Sequence, residues 1–115
     1  MLKTEKQVTN EKRLNAYLEL ESDWDGYGAE SFEKELIDFA KELLCNIYKQ
    51  PKVFPTGRGS VQFEYENKYG RYLEFEIFSY DNIQLFFVDE HGEKIEKQIN
   101  KTEINDWIKH FYEEN

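Results

Sequence analysis

The chain has 115 residues, 24 of them acidic against 15 basic, giving a formal net charge of −9, and aromatic residues make up 17% of it. That length fits one domain able to bury a core without cross-links, and the acidic excess argues against binding nucleic-acid phosphates, which need Lys and Arg to displace counterions. The single cysteine, Cys45, excludes an internal disulfide or a cysteine-based zinc site, and no apolar run is long enough for a signal peptide or a membrane span, so a cytoplasmic location is expected.

Residues 1–9, beginning MLKTEKQV, are poor in apolar side chains and read as a flexible arm ahead of a single domain over residues 10–115. A first helix is expected from about Asn10 to Leu20, capped by Thr9 or Asn10, with Leu14, Tyr17 and Leu18 on one face. The stretch DWDGYGA (23–29) follows. Asp25-Gly26 is a turn dipeptide, Gly28 suits a positive φ, and Trp24 and Tyr27 can anchor the connection on the core. The other reading is that Trp24, Asp25 and Tyr27 form a rigid corner presented to a partner.

The second helix is expected to start at Ser31 as N-cap, with Glu33 and Glu35 in a first turn that favours negative charge. Phe32, Leu36, Phe39, Ala40, Leu43, Leu44, Ile47 and Tyr48 fill about half the circumference, more than the ~100° stripe of a surface helix, which suggests two neighbours and leaves room for a homodimer. Pro51 ends it. Cys45 projects opposite that arc and is expected to be an ordinary exposed thiol.

From Lys52 onward the period is two. VQFEYE (61–66), YLEFEIF (72–78) and IQLFFV (83–88) alternate, each bounded by turn residues, and read as an antiparallel meander. Lys52–Phe54 adds an edge, and Ile95 and Ile99 mark a weaker further strand. Asn100 with Glu103 gives a capping-box pattern before a last helix carrying Ile104, Trp107, Ile108 and Phe111. The expected fold is α+β: two N-terminal helices, a sheet of 3–5 strands and a C-terminal helix, with the helices on one sheet face as a two-layer sandwich.

Turning Val61, Phe63, Tyr65, Leu73, Phe75 and Ile77 inward sets Glu64 opposite Glu74, Gln62 opposite Glu76 and Glu66 opposite Tyr72 on the other face. Opposed like charges weaken a sheet, so this face raises a question. It can be a solvated surface relieved by Lys68, Arg71 or another cation. With Tyr72, Phe78 and Phe86 beside the glutamates it can also be an acidic-aromatic docking surface for a protein partner with basic side chains. A carboxylate site for Mg, Ca or Mn and a glycosidase-like acid/base pair are the remaining readings, the last without the pocket such a pair needs. PTGRGS (55–60) lacks P-loop spacing and precedes a strand, yet its glycines could form an anion nest, with Arg58 gripping an anionic ligand such as a nucleotide. His91 and His110 stand in no metal-binding pair.

W-D-G-Y-G-A (24–29), followed by an amphipathic helix, FPTGRGSVQFEYE (54–66) and GRYLEFEIF (70–78), resembles a family of small uncharacterised bacterial and phage-associated proteins, over residues 14–88. The resemblance implies a compact domain from a mobile-element setting and carries over no functional residue and no cofactor. The expected function is therefore a non-enzymatic, acidic protein-interaction module. The resemblance adds an antitoxin, immunity or anti-defence role. An anion-binding sensor and a carboxylate metal-binding domain are the alternatives.

Overall fold

Thr4 starts helix α1 (Glu5–Tyr17), its hydroxyl oxygen accepting a hydrogen bond from the Gln7 backbone N–H at 3.1 Å and so satisfying a first-turn donor. The structure is a computed structural model that describes residues 3–113, except for the side chains of 66–68. Helix α1 begins at Glu5 rather than near Asn10, so residues 5–9 are helical and not an arm. Apolar periodicity could not find this turn because α1 docks partly through polar atoms. Asn10, buried in mid-helix, donates from Nδ2 to Pro51 O at 2.9 Å and to Gln50 Oε1 at 3.2 Å, and Tyr17 OH donates to Val53 O at 3.2 Å. Leu14 is buried on that face, whereas Leu18, expected beside it, is exposed.

Helix α2 (Lys34–Asn46) is shorter than expected at both ends. Its N-cap is Glu33, without a side-chain cap bond, and Ser31 lies outside it. Phe32 is thereby released from the helix and packs its ring 5.6 Å from Tyr17 and 6.1 Å from Trp24, centroid to centroid. At the other end Gln50 Nε2 donates to Leu44 O at 2.9 Å and Asn46 Nδ2 to Glu42 O at 3.1 Å, so last-turn carbonyls find donors well before Pro51. Tyr48 falls outside the helix and is exposed, while Leu36, Ile37, Phe39, Ala40, Leu43 and Leu44 form the buried stripe. Cys45 is exposed, as expected.

Five strands follow: β1 (Lys52–Pro55), β2 (Val61–Lys68), β3 (Arg71–Ser79), β4 (Asn82–Val88) and β5 (Lys94–Ile99), paired antiparallel in the order β1-β2-β3-β4-β5. The alternation sets the register as read: Phe63 lies opposite Phe75, Phe75 opposite Leu85, and Glu64 opposite Glu74. The exception is beyond Tyr65, where the β2–β3 pairing shifts before Lys68 meets Arg71, so the expected Glu66–Tyr72 pair does not appear. Asn100 and Glu103 form the capping box across a 3₁₀ turn (Lys101–Glu103) that leads into α3 (Ile104–Phe111).

The three helices pack on the sheet in an α+β arrangement, and their apolar side chains join Val53, Val61, Phe63, Tyr65, Leu73, Phe75, Ile77, Ile83, Leu85, Phe87 and Ile99 in one core. Among the described residues no helix is long and apolar enough to cross a membrane.

Arg71 is the one buried charged side chain among the described residues. Its parity places it on the helix side of β3, not with the glutamates it was expected to relieve. There Nε meets Glu90 Oε2 at 2.8 Å, and the Nη1 group donates to the carbonyls of His110, Phe111 and Glu113 at 3.1, 3.2 and 2.7 Å. A guanidinium thus closes the carboxyl end of α3, where cations are favoured.

Candidate functional site

The outward sheet face carries two cross-strand rows. One runs Lys52, Glu64, Glu74, Phe86, Glu96 across all five strands, and the next runs Phe54, Gln62, Glu76, Gln84, Gln98. The central members, Gln62, Glu64, Glu74, Glu76, Gln84 and Phe86, are half-buried, and Glu96 is exposed. A depression of about 320 Å³ opens among Glu74, Glu76, Phe86 and Glu96.

The opposed glutamates are held by neighbours with donors. Gln62 Nε2 donates to Glu74 Oε1 at 2.9 Å and more weakly to Glu64 Oε2 at 3.4 Å, and Tyr72 OH donates to Glu74 Oε1 at 2.6 Å. Burial first, and then that bond to Glu74, pushes the Tyr72 phenol far above its ordinary range, so it stays a donor. Its ring packs edge-on against Phe86, centroids 5.8 Å apart. Glu76 is gripped by Arg58 Nε at 2.8 Å and by the Ser60 hydroxyl. The residue that makes the opposition tolerable is therefore an amide placed between two carboxylates. Arg58 is a cation that relieves Glu76, and the side chain of Lys68 lies outside the described residues.

Arg58, the candidate anion grip, thus already holds a carboxylate. The nest expected at PTGRGS is likewise filled from within. The backbone N–H groups of Arg58 and Ser60 donate to Thr56 Oγ1 at 3.2 and 3.3 Å, and the hydroxyls of Thr56 and Ser60 bond each other. The turn is a sealed link between β1 and β2.

The Trp24–Ala29 corner docks on this same turn. Glu30 N donates to Gly57 O at 3.1 Å, and a Cβ built on Gly57 would lie 3.4 Å from Asp25 Oδ2 and 3.6 Å from the Ala29 Cβ. Within the corner, Asp25 Oδ1 accepts from Tyr27 N at 2.8 Å and Ala29 N at 3.1 Å, while Asp23 Oδ1 accepts from Gly28 N at 2.7 Å. Trp24 is half-buried and donates from Nε1 to Glu30 O at 3.0 Å. Its ring and the Asp25 carboxylate thus build the corner. Tyr27 does not anchor it: the side chain is 93% exposed.

Two substitutions test this division of labour. Gly28 has φ +84° with nothing within 4 Å of an added Cβ, so Gly28→Ala is expected to cost about 1–2 kcal/mol from backbone conformation alone. Asp25→Ala removes the acceptor of two backbone donors and is expected to cost about 1–3 kcal/mol. Urea unfolding of both variants reads these values. A neutral Asp25→Ala would show that the carboxylate does not build the corner.

The sequence reading thus picked out residues that fall into contact: the corner touches the PTGRGS turn, whose Arg58 and Ser60 reach Glu76 on the acidic face. Glu66 lies on β2 where the pairing shifts, and its side chain lies outside the described residues. Glu96 was missed, although the parity of Ile95 and Ile99 already puts it on the outward face beside Phe86. Among the described residues no group of three or more His, Cys, Asp or Glu is placed to hold a metal ion. No protein-family model, curated protein or solved structure matches this chain.

Proposed function

We propose that the outward sheet face docks a protein partner through basic side chains, making the chain a small acidic interaction module and not an enzyme. The observation that carries this reading is the row Glu64, Glu74, Phe86, Glu96: three carboxylates flanking an accessible aromatic ring on one sheet face. Phe86 and Tyr72 supply interface area, and the carboxylates select and steer a basic surface. An overall charge of −9 extends that steering and makes it salt-dependent. The resemblance of the Trp24–Ala29 motif to phage-associated proteins gives the reading its most concrete form, an antitoxin, immunity or anti-defence protein of a mobile element acting in the cytoplasm.

The test uses Glu64→Lys/Glu96→Lys, because those carboxylates can be reversed without dismantling the bonds that Tyr72 and Gln62 make to Glu74. A partner captured from host lysate by the wild-type protein is expected to bind this variant at least ~10-fold more weakly, with the difference shrinking as salt screens the charges. Unchanged affinity at low salt would overturn the reading.

A further inference from the structure

A groove of about 560 Å³ runs between α1 and the β1 edge of the sheet, a volume within the usual range of about 300–1,000 Å³ for small-molecule sites. Its helix wall is built from Lys6, Thr9, Asn10 and Arg13. That spacing of i, i+3, i+4 and i+7 is one stripe of α1. Lys52 and Glu64 line the sheet side.

We infer that this groove binds a small phosphate ester, a nucleotide or a sugar phosphate. In this acidic chain Lys3, Lys34, Arg58 and Arg71 each hold a carboxylate. Lys6 and Arg13 are exposed and have no ion pair or hydrogen bond from their side chains to any described residue. Two unneutralised cations therefore border one concavity in a protein whose other charge is mostly negative. Their Cα atoms stand about 10.5 Å apart along the helix, a span that two long side chains close around one phosphate. Asn10 stiffens the wall, since its Nδ2 is committed to Pro51 O and Gln50 Oε1. Glu5 and Glu64 also line the groove, and their carboxylates accept hydrogen bonds and repel anions. A ligand that suits both walls carries a phosphate at one end and hydroxyl or amino donors at the other. This site is separate from the loop at Arg58, and Lys52 and Glu64 are its residues in common with the cross-strand row.

Calorimetric titration of the full chain at low salt with AMP, ribose 5-phosphate and inorganic phosphate tests the inference. Saturable binding of one or both esters with a Kd below ~1 mM is expected, tighter than that of inorganic phosphate. AMP alone identifies a nucleotide site; both esters identify a sugar-phosphate site. Lys6→Gln/Arg13→Gln is expected to weaken binding at least ~10-fold with its melting temperature unchanged, both side chains being exposed and unpaired. No saturable heat with either ester up to ~10 mM, or equal binding by the double variant, overturns the inference. Glu96→Lys, which lies outside the groove, is expected to leave ester binding intact and so separates this site from the partner surface.

Discussion

Arg71→Met is expected to lower the melting temperature by about 10 °C or more and to loosen α3 ahead of the sheet. The guanidinium meets Glu90 and the carbonyls of His110, Phe111 and Glu113, so its removal takes a charged donor from three helix-end carbonyls and from the Glu90 carboxylate. Arg71→Lys recovers only part of the loss, since one ammonium cannot reproduce a fork that reaches both Glu90 and the helix. Acid separates the two halves of this clamp. The hydrogen bond from Arg71 holds the Glu90 carboxyl down at about 2. A carboxyl depressed on folding contributes stability above its unfolded value, here near 4.5, and loses it as the pH falls through the folded value. Wild-type melting temperature is therefore expected to fall between pH ~4.5 and ~2 by an increment that Arg71→Met lacks. Hydrogen exchange of the α3 amides reads the local effect. An unchanged melting temperature and an acid slope equal to wild type would show that the clamp does not hold the helix.

The strands were legible because one physical rule covers them: with one face buried, a shift of one residue would turn every apolar side chain to water. That rule alone sets Glu64 opposite Glu74 and Gln62 opposite Glu76. It failed beyond Tyr65, where an irregular pairing breaks strict alternation without a glycine or proline to announce it. Helix α1 began early for a different reason. Its attachment includes an asparagine and a tyrosine hydroxyl bonded to the carbonyls of Pro51 and Val53, and a polar attachment leaves no hydrophobic period to read. Arg71 is buried although charge is the usual mark of exposure, and its odd parity in β3 is the signal that points it inward. At the corner, the turn chemistry of Asp25-Gly26 was readable, but its docking on the turn after β1 joins residues far apart in sequence, and no local signal reports that. The same distance hid the capture of Glu76 by Arg58. The candidate acidic face could be placed by parity, whereas its hydrogen bonds could not, because Gln62 and Tyr72 reach their carboxylates diagonally or along the strand.

Phe75→Ala and Phe86→Ala make the second large contrast, from the same side chain on opposite faces of the same sheet. Phe75 is 0% exposed on the central strand, opposite Phe63 and Leu85, with Tyr65 packed edge-on against it at 6.3 Å. Truncating it opens a cavity that the surrounding strands cannot collapse, with an expected loss of about 3–5 kcal/mol, a large part of the ~5–15 kcal/mol that holds a domain together. Phe86 is half-buried against the Tyr72 ring on the outward face, and its truncation is expected to cost about 1 kcal/mol while weakening the proposed partner at least ~10-fold. Denaturant unfolding and binding to the captured partner, run on both variants, read the two quantities independently. If Phe86→Ala loses stability as Phe75→Ala does, the outward aromatic serves the fold and the docking row loses its centre. If it keeps both stability and affinity, the row is a solvated surface whose carboxylates are merely accommodated by Gln62, Tyr72 and Arg58. A loss of affinity with stability retained is the outcome that makes the face a binding surface, because burial on the helix side has already supplied what the fold requires.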